Sequence, residues 1–348
     1  MSPKKIWLLA VLLVCAYPLS ATTYWVGTCH AGSFSTINLA VNSPNVAAGS
    51  IINICPGTYQ EQVIISKSLS LHGLTTSQTS GATVLPSPSA QTTKSQIGEF
   101  AFMGTFAPVI WVRAGTVEIQ NLSVLANIVS PPTVVEFYYA SGASGTLNHV
   151  AAVVSGAAFG ILAENADLSQ TSVTIENSYT NGGILAGTLE FPTLNLDIIG
   201  NQVFPSSPFS FYAIYLYGVN ATVKGNYVSG PRWEDTNTAL GPSFTAISAS
   251  VVTSENLTVN ISGNTIQITQ SELSSADFDA WGIQVESTGA IIESNKISNA
   301  EFGIDVSCEP ATVSGNTINF AVVGINNVQA GFTGANSFYN SGKTATCP

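Results

Sequence analysis

Beyond residue 43 the chain alternates short apolar and polar stretches, and the i, i+3, i+4 spacing of an amphipathic helix is almost absent. The alternation repeats. Gly282-Ile283-Gln284-Val285, Gly303-Ile304-Asp305-Val306 and Gly324-Ile325-Asn326-Asn327 begin 21 residues apart, twice over. Asn295 and Asn316 follow the first two by thirteen residues, and Asn336 follows the third by twelve. Gly-Asn-X before Ile or Val recurs at Gly200, Gly225, Gly263 and Gly315, and Ala213-Ile214-Tyr215-Leu216 precedes Asn226 by the same thirteen. Weaker copies start at Ile110, Val135, Ile161, Ile184 and Ile247. A period of 21 to about 36 residues built of three short strands predicts a solenoid, because one coil cannot bury its apolar edge and stacked coils can. Nine or ten coils are expected. Asn is expected to take the left-handed bend between two strands and to bond the Asn one coil above. Short strands at regular spacing also suit a propeller or a sandwich, the architectures weighed against it.

Two segments at the start depart from the repeat. Ile6 to Ala16 is an eleven-residue apolar run behind Lys4 and Lys5, with small residues at Ser20 and Ala21. It reads as an export signal over residues 1–21 and is short for a membrane span. Phe34 to Val41 is amphipathic and predicts a short helix capping the first coil, whose strand edges would otherwise be open to other chains.

After the cap come Ile51-Ile52-Asn53-Ile54-Cys55-Pro56-Gly57-Thr58-Tyr59 and Gln62-Val63-Ile64-Ile65-Ser66-Lys67-Ser68-Leu69-Ser70-Leu71-His72-Gly73. This string resembles the opening of the pectin-lyase-like superfamily of right-handed parallel β-helices. With the Asn repeats the resemblance covers about residues 24 to 340. It implies one all-β domain over 22–348, with a cap at 24–60 and coils at about 61–340.

In that superfamily substrates lie along the outer face of the first strand of each coil, walled by the loops after the third. Strand alternation then places Trp111, Arg113, Glu136, Tyr138, Leu162, Glu164, Leu185, Tyr215, Tyr217, Ser248, Ser250, Gln284, Glu286, Asp305, Ser307 and Asn326 outward. The loops Phe204 to Phe211, Pro231 to Ser243 and Gln270 to Ala280 are long for a tight solenoid and carry Arg232, Trp233, Glu234, Asp235, Glu272, Asp277 and Asp279, with Trp281 just beyond. Trp111, Arg113, Tyr215, Tyr217, Trp233, Trp281, Gln284 and Asp305 are the expected ligand-binding set. Asp277, Asp279 and Glu286 are the candidate catalytic carboxylates, and Arg232 the candidate base or charge clamp. Such carboxylates suit Ca2+ in a polysaccharide lyase, or a pair among Asp277, Asp279, Glu286 and Asp305 suits a glycoside hydrolase. The superfamily's polygalacturonase, pectate lyase and methylesterase motifs are absent, so the resemblance transfers no catalytic set. It leaves polysaccharide or cell-surface glycan binding as the leading expectation and catalysis in the same groove as the alternative.

Charge narrows the ligand. Charged residues are 8% of the 348, and nine Lys plus Arg against 20 Asp plus Glu leave a net charge of −11. No basic face for nucleic acid is available, and a polyanion would be repelled unless calcium bridged it. A neutral glycan is favoured and a monomer expected. Three scattered histidines do not suggest zinc. Beyond Cys15, the even set Cys29, Cys55, Cys308 and Cys347 implies disulfides in an exported chain. Of the three pairings, Cys29–Cys55 with Cys308–Cys347 staples each end.

Overall fold

The structure, a computed structural model, describes residues 21–75, 81–128, 133–156, 158–189, 191–205, 212–231, 243–251, 257–269, 279–329 and 334–347. The expected export signal lies outside them, apart from Ala21. So do Arg232, Trp233, Glu234, Asp235, Glu272 and Asp277.

The chain winds as a right-handed parallel β-helix with three sheets. Sheet A runs from Thr23–Val26 to Ala311–Ser314, and sheet B from Gly57–Gln60 to Ser337–Tyr339, each of eleven strands. Sheet C runs from Val63–Ile65 to Thr344–Thr346, again with eleven strands in its main path. Eleven coils therefore replace the expected nine or ten. The first strands fall inside the region read as a cap, where Ser50–Ile54 already pairs Leu69–Gly73. At about 4.8 Å per strand the stack is about 50 Å long.

Each strand pairs in parallel with its equivalent one coil away, so like positions form rows. Ile247, Ile283, Ile304 and Ile325 stand in register and are fully buried. The residue before each is small: Ala246, Gly282, Gly303 and Gly324. A Cβ at Gly282 would lie 2.5 Å from the Gly303 carbonyl oxygen and 2.6 Å from the Ile297 side chain. In these last coils the Gly of the repeated Gly-Ile pair allows the close approach of neighbouring coils where sheet B turns into sheet C.

The Asn ladder forms between sheets A and B. In Asn201, Asn226, Asn264, Asn295 and Asn316, each backbone N–H and side-chain amide donates to the side-chain oxygen of the next Asn, at 2.8–3.0 Å. The left-handed conformation sits one residue earlier than expected, at Gly200, Gly225, Gly263, Ser294 and Gly315. The ladder Asn must aim its amide along the axis, and the residue before it makes the bend.

The cap helix is Ile37–Asn42. Thr36 caps it by accepting from the Leu39 N–H at 3.1 Å, and the Glu61 carboxylate accepts from Ile37 and Asn38 at 2.8 and 2.7 Å. Ile37, Ala40 and Val41 face the core. The disulfides are Cys29–Cys55 and Cys308–Cys347, with Cα–Cα distances of 5.6 and 5.8 Å.

Candidate functional site

The outer face of sheet C carries the row expected from alternation. Ile64, Trp111, Tyr138, Leu162, Leu185, Tyr215, Ser248, Gln284, Asp305 and Asn326 are in register, coil upon coil. Glu136 departs from it. It stands at the corner position that later coils give to Gly or Ala, and it is fully buried. Its Oε1 accepts from the Ala126 N–H at 3.0 Å, and its Oε2 has no hydrogen-bond partner among the described residues. Burial pushes this carboxyl well above the ordinary glutamate value, against the backbone N–H groups of Ala126 and Val153.

The N-terminal half of the face is roofed. Between the sheet B strand Ala82–Leu85 and the sheet C strand Thr105–Val112 the chain makes an excursion. Its Thr93–Lys94 pairs antiparallel with Thr105 and Phe106, and its 3-10 helix Gly98–Met103 lies across the coils. Ile97, Phe100 and Met103 of this strap pack with Phe106, Trp111, Val135, Tyr138, Phe159, Leu162, Leu185 and Tyr215 in a second hydrophobic cluster. Their spacing of three matches the three residues per turn of a 3-10 helix. Gly187 makes room: a Cβ there would stand 2.9 Å from the Phe100 ring.

Polar contacts pin the strap. Glu164, outward as expected but buried, accepts from the Ser95 hydroxyl at 2.5 Å, from the Gln96 N–H at 3.3 Å and from the Tyr138 hydroxyl. Burial raises its carboxyl above the usual value despite these bonds. Arg113 lies over the Trp111 ring, 3.8 Å from its centroid, and donates to the Gln91 side chain at 3.1 Å. Trp111 and Arg113 are thus engaged with each other and with the strap.

Among the described residues, no segment roofs the face beyond the strap, and this half is called the open half. Tyr215 donates to Glu99 of the strap at 2.7 Å and receives a 3.4 Å contact from the Ser250 hydroxyl. The Tyr212 and Tyr215 rings stack at 4.3 Å, and those of Trp281 and Phe302 at 5.7 Å. Tyr212, Thr245, Trp281, Phe302 and Val323 form a second outward row beside the first. Tyr212, Tyr217, Trp281, Gln284, Phe302 and Asn326 are partly exposed, and Glu286 is exposed.

Two of the expected acidic residues meet here. The Glu286 carboxyl is raised, first by the crowding that withdraws it from water, then by the charges of Asp305 and Glu99. Asp305 is almost buried and saturated. Its oxygens accept from the Ser307 N–H at 2.8 Å, from Asn326 at 3.2 Å and from Asn327 at 3.1 and 3.2 Å. Asp279 begins a sheet C strand, Asp279–Val285. Among the described residues no group of three or more His, Cys, Asp or Glu side chains is placed to hold a metal ion.

Tyr212, Phe302 and Glu99 were not singled out from the sequence. The two aromatics carry a signal, since Tyr212, Trp281 and Phe302 each stand three residues before a row member across a small residue and an Ile. Glu99 sits in a segment without strand alternation and carries none.

The coil architecture agrees with the comparisons. The family model for a right handed beta helix region matches residues 159–341, more than half of the chain. The chain belongs to this right-handed β-helix family. Among solved structures, the β-helix is similar to PfbA, a surface adhesin of Streptococcus pneumoniae, at 16% identity over 85% of each chain, with a TM-score of 0.41. It is also similar to the A-module of the mannuronan C-5 epimerase AlgE4 of Azotobacter vinelandii, at 12% identity over 89% of this chain and 91% of that one, TM-score 0.30. A third is the catalytic unit of an α-1,3-glucanase from Streptomyces thermodiastaticus, at 14% identity over 95% and 68%, TM-score 0.35. No curated protein matches in sequence. Among the described residues no helix is long and apolar enough to cross a membrane.

Proposed function

We propose that this β-helix is an exported protein that binds a neutral glycan on the open half of the sheet C outer face. The observation that carries the reading is the division of that face. Its N-terminal half is sealed by the chain's own strap; Tyr212 and Tyr217 pack at the edge of that cluster and stay partly exposed, and the described residues beyond present Trp281 and Phe302 beside Gln284, Glu286 and Asn326. Flat apolar rings with amide and carboxylate groups between them suit the apolar faces and equatorial hydroxyls of a sugar chain. Two disulfides fit an oxidising compartment outside the cell. A net charge of −11 favours an uncharged polymer.

Binding is favoured over catalysis by Asp305. A glycosidase needs a second carboxylate free to act on water or on the sugar; of the two described carboxylates whose charges act on Glu286, Asp305 has both oxygens taken and Glu99 is bonded to Tyr215. The alternative rests on Glu286, whose raised carboxyl suits a general acid.

Retention of the purified protein on insoluble neutral glycans, with reducing ends read in parallel, separates the two. Binding predicts retention without new reducing ends, and a loss of about tenfold in affinity in Tyr217→Ala with Gln284→Ala. New reducing ends that vanish in Glu286→Gln would establish the hydrolase instead. Unsaturated product requiring Ca2+ would establish a lyase.

A further inference from the structure

Sheet B carries a feature that the sheet C site does not use. Its outward positions include Tyr179, Phe204 and Tyr227, contributed by three successive coils. Tyr179 pairs with Gln202 and Gln202 with Tyr227, so the two tyrosines stand two coils apart on one row. Phe204, two residues past Gln202, bridges them. Its ring centroid is 5.7 Å from that of Tyr179 and 5.5 Å from that of Tyr227. Tyr179 is 36% exposed, and the other two rings are partly exposed. The inward neighbours Thr180, Val203 and Val228 are buried, which fixes the outward direction of the stripe.

An unbroken aromatic stripe on a surface face marks a contact site more than scattered apolar residues do. The surroundings of this one select its partner. Gln202, Thr265 and Gln267 are exposed along it, and the Tyr227 hydroxyl donates to the Gln267 side chain at 3.0 Å. Along the row Ala151, Tyr179, Gln202, Tyr227, Thr265 and Lys296, the first charge is Lys296, at its far end. Uncharged amides and hydroxyls beside aromatic planes offer hydrogen bonds to a polyol and little to a polyanion.

The spacing also fits. Successive rings follow the coil rise of about 4.8 Å, comparable to the advance of one ring in an extended hexopyranose chain. We infer that the Tyr179–Phe204–Tyr227 stripe is a second, separate binding site for a neutral polysaccharide, which runs along the helix axis with one sugar on each ring. Two faces on one rigid rod then hold a polymer at two places. Two weak sites on a connected ligand reinforce each other through effective concentration.

The inference stands apart from the sheet C reading, and one experiment keeps them distinct. Native gels containing soluble β-1,3-glucan, glucomannan or dextran are run with wild type, Tyr179→Ala with Phe204→Ala, Tyr179→Phe with Tyr227→Phe, and Tyr217→Ala with Gln284→Ala. Wild type is expected to be retarded by at least one polymer. The Tyr179→Ala/Phe204→Ala variant should lose about tenfold in apparent affinity at unchanged circular dichroism, while the tyrosine-to-phenylalanine pair keeps the stacking faces and the retardation. Full retardation of the alanine pair overturns the second site, whatever the sheet C variant does. Absence of retardation of wild type by all three polymers overturns it too. Concentration-dependent dimerisation of wild type in sedimentation, lost in the alanine pair, would assign the stripe to a second copy of the chain instead. Full retardation of the Tyr217→Ala/Gln284→Ala variant alone would remove the sheet C site and leave this one.

Discussion

Glu136 shows how much one residue can decide inside a solenoid. The corner it occupies is filled by Gly or Ala in the later coils, and at Gly282, Gly303 and Gly324 even a Cβ would meet the next turn of chain. Burial pushes this carboxyl toward its neutral form, and that preference ties stability to pH. Glu61, Glu136, Glu164 and Glu286 are all raised above the ordinary value of 4.5, each with burial as the leading cause. A carboxyl raised in the fold binds its proton more tightly there than in the unfolded chain. Its contribution is full below about pH 4.5 and is lost as pH climbs toward the folded value. Thermal unfolding of wild type should therefore give a higher Tm at pH 5 than at pH 7. Glu136→Gln, a neutral mimic, should flatten that dependence and match or exceed wild type at pH 7. A steeper dependence in Glu136→Gln would contradict the assignment. From the sequence Glu136 reads as outward, since strict alternation runs through Val135 and Phe137. The corner breaks the alternation by one residue, and alternation alone does not mark where a corner falls.

The strap is the element that changes the functional picture. Sequence periodicity exposes the strands, their rows and the Asn ladder because each is stated once per coil, and repetition makes it legible. The strap occurs once. Ile97, Phe100 and Met103 repeat every three residues over a single pair of turns, too short a run to stand out. Trp111 and Tyr215 were therefore legible as outward residues, and their burial in the cluster that the strap closes was not. The excursion leaves sheet B for sheet C, as do the long loops noted in the sequence, so the third turn of the coil supplies the variation. Gly187 tests how the strap is seated. Gly187→Val places methyl groups where the Phe100 ring lies, at a cost of about 1–3 kcal/mol for an overpacked site. Limited proteolysis should then cut within residues 91–104 faster than in wild type, with the Asn ladder coils unaffected. Equal cleavage rates would show that the strap does not depend on this contact.

At the scale of the whole molecule, the chain is a rod whose ends are closed by disulfides and whose interior is rows of like residues. Its faces differ: sheet C is half roofed and half open, and sheet B bears an aromatic stripe. The candidate site was legible in part. Tyr217, Gln284, Glu286 and Asp305 were read from alternation and Trp281 from the long loop before it, and they are brought to one stretch of face, whereas Glu99 reaches them through the strap. Hydrogen–deuterium exchange with and without a retained neutral glycan tests the central claim most directly. Binding on the open half predicts slowed exchange in Tyr212–Tyr217, Ser243–Ser250, Asp279–Val285 and Phe302–Asp305, with Thr133–Tyr139 and Ala158–Asn165 beneath the strap unchanged. Protection confined to the roofed strands, or none on sheet C with glycan bound, would contradict it.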